Sequence, residues 1–258
     1  MSFMGMRFLG VLKMTLNSGS EPFLKLSNMA VRYGPNIVLK GISGVFKKGS
    51  LTAVVGPNGG GKSTLLKAIM NFVPPFKGSI LNTFKKTAYL PQRMEMDLHF
   101  PLTVDQVVSF GLWKEVGGFS GFRSIHEDQI KTALKTVGMI DYKNNHLNTL
   151  SGGQLQRVLF ARLILQKAEF ILLDEPFTGI DSKTTYDLMR IVELWRKEGR
   201  TIIAVLHDLE LVKHHFPETL LLSKENMGWG ETKNVLTSKA LQKIHVCSHS
   251  FTFAGQEI

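Results

Sequence analysis

Leu51-Thr52-Ala53-Val54-Val55-Gly56-Pro57-Asn58-Gly59-Gly60-Gly61-Lys62-Ser63-Thr64 runs from a β-prone, largely apolar segment into a glycine-rich turn, and Leu65, Leu66, Ala68 and Ile69 then follow at helical spacing. The uninterrupted apolar run predicts a strand covered on both faces. Residues 56–63 fit the pattern G-x-x-x-x-G-K-[ST] of a phosphate-binding loop. Its glycines let backbone N–H groups point inward at an anion with no Cβ in the way. The helix start that follows adds partial positive charge. Lys62 is placed to neutralise β- and γ-phosphates, and Ser63 to ligand Mg²⁺.

A phosphate loop needs a further acidic group for the cation, expected at the end of a neighbouring buried strand. Phe170-Ile171-Leu172-Leu173-Asp174 supplies one, and Glu175 follows at once as a group able to orient or deprotonate an attacking water. A second buried-type run, Thr201 to Leu206, lies beyond a helical stretch from Ser182 to Lys197 that Gly199 ends. Strand–helix–strand spacing of this kind predicts a parallel sheet with right-handed crossovers.

Outward from that core, Phe23 to Phe46 reads as β hairpin structure broken at Tyr33-Gly34-Pro35-Asn36 and at Gly41. The helix after the loop must end before Pro74-Pro75. Between Arg93 and Gly138 the pattern turns helical. Thr103-x-x-Gln106 and Ser124-x-x-Glu127 read as capping boxes, with Gly111 and Gly138 as the matching stops. Gly117 to Gly121 reads as a flexible loop between them. A third box, Ser151-x-x-Gln154, opens a helix through Leu155, Val158, Leu159 and Leu163.

That third box lies within Leu150-Ser151-Gly152-Gly153-Gln154, and Ser151 stands 90 positions after Gly61. With the phosphate loop, Gln92, Asp174-Glu175 and His207 in the same order, the chain resembles the ATP-binding subunits of the ABC transporter superfamily from about Phe23 to Leu241. The resemblance implies an α/β fold: a P-loop NTPase core with a mostly parallel sheet, an antiparallel β subdomain and an inserted helical lobe over about residues 93–165. An N-terminal extension (1–22) and a C-terminal tail (242–258) flank the ATPase domain (23–241).

The resemblance also assigns roles. Tyr33 stacks on adenine, and Gly56, Pro57, Asn58, Gly59, Gly60, Gly61, Lys62, Ser63 and Thr64 hold the phosphates. Ser63, Gln92 and Asp174 serve Mg²⁺. Gln92 also reaches the attacking water and relays the nucleotide state to the helical lobe. Glu175 and His207 are catalytic, His207 contacting the γ-phosphate and holding Glu175 in place. Ser151, Gly152, Gly153 and Gln154 cover ATP bound by the other subunit of a homodimer, where Asp181 makes a further contact.

The cofactors implied are ATP and Mg²⁺. The partners implied are a second copy, integral-membrane permease subunits docked near Met94 to Val104, and indirectly an extracellular or periplasmic substrate-binding protein. The implied place is the cytoplasmic face of the cell membrane. Phe100-Pro101-Leu102-Thr103-Val104 and the segment Asp174 to Asp181 resemble importers of zinc and manganese, with metal-chelate importers nearest to them. A soluble superfamily ATPase of cofactor assembly and a non-catalytic regulator are the other readings; Glu175 and His207 together speak against the regulator.

Bulk properties agree without discriminating. In 258 residues with 43% hydrophobic content and formal charge +10, the basic residues come in ones and twos, with no dense tract for nucleic acid. No apolar run of about 18 residues or more is present to span a bilayer. Cys247 is the only cysteine, which excludes an internal disulfide. The apolar stretch Met1 to Leu16 is interrupted by Lys13, unlike a signal peptide core. His245-x-Cys247-x-His249 carries three metal-type ligands without a fourth and is not read as a site. Two departures from the family pattern stand out. Gly60 replaces a small side chain, which is expected to loosen the loop slightly. Asn226 to Gly230 replaces a shorter turn and leaves the C-terminal part of the domain open.

Overall fold

The computed structural model describes residues 23–92, 101–116, 124–237 and 240. In chain order, β1 (Phe23–Tyr33), β2 (Asn36–Lys47), β3 (Leu51–Val55), α1 (Lys62–Ile69), β4 (Lys77–Asn82) and β5 (Thr87–Leu90) come first. Helices α2 (Val104–Ser109), α3 (Trp113–Val116), α4 (Ser124–Thr136) and α5 (Gly152–Gln166) follow. The chain then alternates through β6 (Phe170–Asp174), α6 (Ser182–Lys197), β7 (Thr201–Val205), α7 (Leu209–His215) and β8 (Glu218–Ser223). It closes on β9 (Glu225–Glu231) and α8 (Thr232–Val235).

Alternation along the central strands sorts their side chains into two cores. Every residue of β3, β6 and β7 is buried, as expected for strands covered on both faces. Phe170, Leu172, Ile203, Val205 and Val54 face one cluster, which includes α1 and the inner faces of β1 and β2. Ile171, Leu173, Ile202, Ala204 and Ala53 face the other, filled by α5, α6 and the helical insert. The six-stranded sheet has order β5-β6-β7-β3-β8-β9. Its β5–β6, β6–β7, β7–β3 and β3–β8 pairs are parallel, and only β9 is antiparallel. A separate antiparallel sheet, β2-β1-β4, carries the hairpin foreseen at Tyr33-Gly34-Pro35-Asn36.

Three local readings need correction. Gly41 does not break β2, which runs through it with φ +61° and a shift of register. Gly111 is not a stop. The chain continues past α2 through a 3-10 turn, Phe110–Leu112, and a Cβ at Gly111 would sit 2.5 Å from the Arg162 carbonyl oxygen, so this glycine lets the insert pack on α5. Ser124 is itself helical, within α4, and so is not the capping residue ahead of it. The boxes at Thr103 and Ser151 are both complete, and Gly138 and Gly199 take the left-handed conformation that ends a helix.

The open segment Asn226 to Gly230 forms β9. Trp229 seats it: its ring lies 4.4 Å from that of Phe46, over Gly44, where a Cβ would come within 2.1 Å of the indole. The N-terminal extension, the Gly117–Gly121 loop, residues 94–100 of the expected permease-facing stretch, the tail 242–258 and His245, Cys247 and His249 lie outside the described residues.

Candidate nucleotide-hydrolysis site

Strand β3 delivers the chain to Gly56, and the loop then wraps in front of α1. Two close approaches force its composition. A Cβ at Gly56 would fall 1.9 Å from the Leu222 carbonyl oxygen of β8. Gly61 stands at φ +92°, where a Cβ would also meet Leu39 Cδ2 at 2.4 Å. Gly61 is the N-cap residue of α1, and no side chain caps that helix. The exposed N–H groups of its first turn are left for an anion. Thr64 lies in that turn, and Asn58 and Gly59 are exposed at the tip of the loop.

Gly60 is better held than its lack of a side chain suggests. Its N–H donates to the Pro57 carbonyl at 3.0 Å, and its own carbonyl accepts from Lys224 N–H at 2.9 Å. A Cβ there would lie 2.9 Å from the Pro57 oxygen and 3.0 Å from that of Leu222. These two backbone bonds hold the loop at Gly60 without a side chain.

Lys62 folds its ammonium back onto the loop, donating to the Gly56 and Pro57 carbonyls at 3.0 and 2.9 Å. Burial pushes its pKa below the ordinary lysine value, while the charges of Glu175 and Asp174 oppose the shift. A buried cation held only by carbonyl oxygens is a site prepared for an anion. Next to it, Ser63 Oγ donates to Asp174 Oδ1 at 3.0 Å across from the end of β6. Hydroxyl and carboxylate oxygens converging in this way suit a hard divalent ion such as Mg²⁺.

Glu175 follows Asp174 with φ +51°, a backbone conformation that non-glycine residues rarely take. It turns the carboxylate into the cluster instead of continuing the strand. There Glu175 Oε1 lies 2.7 Å from His207 Nε2, at the end of β7, and Oε2 accepts from Gln92 Nε2 at 3.0 Å. Adjacent strands therefore deliver the five groups Ser63, Gln92, Asp174, Glu175 and His207 to one edge of the sheet. With its Nε2 committed to Glu175, Gln92 keeps Oε1 for a cation or water.

The structure adds contacts that the motifs did not announce. Tyr89 Oη lies 3.4 Å from Asp174 Oδ2, and Thr178 Oγ1 lies 3.4 Å from Glu175 Oε2. The Lys224 N–H buttresses the loop through Gly60. Only the aromatic residue just before Leu90-Pro91-Gln92 carried any sequence signal for these.

The remaining expected residues stand apart from the cluster. Tyr33 ends β1 and is 46% exposed, as a stacking residue requires. Among the described residues no hydrogen bond joins Ser151–Gln154 to the Lys62 cluster. The signature instead packs against α6. A Cβ at Gly153 would lie 3.2 Å from Thr184 Oγ1 and 3.3 Å from Asp181 Oδ2. Asp181 is turned onto its own helix, accepting from Thr184 N–H at 2.9 Å and from the Thr184 hydroxyl at 2.8 Å. Those bonds hold its pKa below the usual carboxylate range, the backbone N–H contributing most.

At the signature, Ser151 Oγ accepts from Gln154 N–H at 3.3 Å, and Gln154 Oε1 accepts from Ser151 N–H at 2.9 Å. The box leaves the Gly152 and Gly153 N–H groups, the Ser151 O–H and the Gln154 amide N–H₂ as donors at the helix start.

Known proteins are similar to this chain. A family model described as ABC transporter matches residues 39–178. The manganese transport system ATP-binding protein MntB of Bacillus subtilis (strain 168) is 36% identical over 229 residues, covering 86% of this chain and 92% of that protein. The zinc transport system ATP-binding protein TroB of Treponema pallidum (strain Nichols) is 31% identical, with 86% of each covered. A solved structure named as a metal-chelate type ABC transporter in an inward-facing conformation superposes with a TM-score of 0.79 at 28% identity, covering 88% of this chain and 89% of that one.

Proposed function

The chain belongs to the ABC transporter family as its ATP-binding subunit, hydrolysing ATP in step with transport through membrane permease partners; from that premise we propose that it powers import of a divalent transition metal, manganese or zinc. The likeness to MntB and TroB over 86% of the chain supports the metal. Among the described residues no helix is long and apolar enough to cross a membrane, so the path for the ion belongs to the permease. We also propose placement on the cytoplasmic face, where cellular ATP is found, and supply of the ion by an external binding protein, as the family resemblance implies.

The observation that carries the hydrolytic reading is the hub at Glu175. Its carboxylate is bonded by His207 and Gln92, acts through its charge on Lys62, and follows directly on Asp174, which binds Ser63. Lys62 exchanges its loop carbonyls for phosphate oxygens, and Tyr33 stacks on the base. Ser63, Asp174 and Gln92 would hold Mg²⁺, which when bound screens the phosphate charge and acts as a Lewis acid. Glu175 orients the attacking water and takes its proton. His207 keeps the carboxylate aimed through Nε2, and that N–H donates to charge developing on the phosphoryl group only by leaving Glu175.

Among the described residues no hydrogen bond ties the signature to the phosphate loop of its own chain. We read its outward helix start as closing over ATP held by a second copy, so that two chains bury two nucleotides and Asp181 lies at that interface. The test is uptake of labelled manganese and zinc in cells that carry the chain or its Lys62→Ala variant as their only copy. Metal import is expected with the first and not with the second. Uptake of a metal chelate in place of the free ions would favour the chelate importers that the superposed structure represents.

A further inference from the structure

Arg157 leaves the signature helix α5 just past Gln154 and ties it to two other elements. Nη2 meets Asp187 Oδ2 of α6 at 2.7 Å. It also lies 3.4 Å from Thr184 Oγ1. Nη1 donates to the Val137 carbonyl, just past the end of α4, at 3.2 Å. A planar guanidinium can serve three acceptors in fixed directions, which an ammonium cannot do. The Arg157 side chain is only 19% exposed, and among the described residues no other ion pair joins α5 to α6.

Thr184 links this fork to the Asp181 loop. Its hydroxyl donates to Asp181 Oδ2 at 2.8 Å and has lone pairs left to accept from Arg157. Gly153 then rests against both Thr184 and Asp181. Arg157, Thr184, Asp181 and Gly153 thus form a closed circuit of contacts. The circuit joins the start of the signature helix to the loop that precedes α6.

We propose that Arg157 is a positioning residue that locks Ser151–Gln154 and Asp181 of one chain into a single face, so that both meet a second copy together. The proposal rests on the reading that this face closes over ATP bound by the second copy. It gives Arg157 no contact with nucleotide. Its effect is confined to the geometry in which the two motifs are presented. Loss of the fork would let the helix start shift against Asp181 while the phosphate loop keeps its own bonds at Gly60 and Lys62.

The test is made on the full chain carrying Glu175→Gln, at saturating ATP and Mg²⁺, with dimerisation followed by sedimentation. Arg157→Ala is expected to weaken ATP-driven dimerisation about tenfold or more, with ATP affinity of the monomer within about twofold of the parent. With Glu175 intact, the same change should lower kcat and leave the ATP concentration for half-saturation of the monomer unmoved. Asp187→Asn, which keeps the side chain's shape, guards against a misfolded Arg157→Ala and should show the same dimer defect. The double variant should be no worse than the poorer single one, and Arg157→Lys should recover only part of the loss. If Glu175→Gln dimerises and Arg157→Ala in that background dimerises equally well, or the two single effects simply add, the assignment of Arg157 is overturned. If Glu175→Gln itself stays monomeric, the dimer reading fails and the assignment falls with it.

Discussion

Two helix starts in this molecule carry glycine-rich sequence, and they are built differently. At α1 the N-cap is a left-handed glycine with no side-chain cap, and a lysine, a hydroxyl and two carboxylates crowd within reach. At α5 the N-cap is a serine in a closed capping box, with no acidic residue in the first turn. The first holds what is needed to bind and cleave a phosphate anhydride. The second offers donors and a helix dipole, and the carboxylate nearest to it, Asp181, is turned onto its own helix by Thr184. A helix start that is complete chemically can be read alone; one that is only half a cradle implies its other half elsewhere.

The largest way to sharpen this contrast is Glu175→Gln. Phosphate release should fall by about 10²–10⁴-fold while ATP still binds, since only the proton acceptor is lost. Lys62→Ala should lower hydrolysis on the order of 10²–10³-fold and weaken nucleotide binding as well, which equilibrium binding of a fluorescent ATP analogue would report. The signature should be gentler to perturb. Ser151→Ala removes one hydrogen bond to a charged group, worth about 1.5–3 kcal/mol, so hydrolysis should fall about 10- to 100-fold. The same change should cost about 0.5–2 kcal/mol of stability in urea denaturation through loss of the cap. If Ser151→Ala matched Lys62→Ala in weakening ATP binding to the isolated monomer, the distinction between the two helix starts would collapse.

The smallest effect concerns Asp181. Its folded-state pKa lies below its unfolded value because Thr184 bonds the charged form. The stability it contributes is therefore complete above the unfolded value and is lost as pH falls through the folded one. Asp181→Asn should melt slightly below the parent at neutral pH, Asn being itself a good N-cap. The difference should shrink in acid, below the ordinary carboxylate range; a gap that widened there would contradict the assignment.

The sequence made legible what local pattern encodes. The buried strands β3, β6 and β7, the helices α1, α5 and α6, and the boxes at Thr103 and Ser151 all follow from residues close in the chain. What it hid depends on distant partners. Strand β4 shows no alternation because it is an edge strand with largely exposed side chains. Strand β9 is rich in glycine and is fixed by Trp229 lying over Gly44 and Phe46, far away in sequence. Within the site the motif residues could be named, but not their mutual bonds. That Gln92 and His207 both hold Glu175, or that Lys224 braces Gly60, is decided by strand order. At Gly60 the missing side chain was legible, but not the backbone bonds to Pro57 and Lys224 that hold it.

The central claim is that the signature of one chain completes the site of another. It is tested most directly by mixing two inactive variants, Lys62→Ala and Ser151→Asp. Aspartate keeps the helix cap while placing negative charge where phosphate should sit. In a mixed dimer one site pairs the intact phosphate loop of the second chain with the intact signature of the first. The account expects ATP hydrolysis by the mixture to rise well above that of either variant alone. A mixture no more active than the sum of its parts would contradict it.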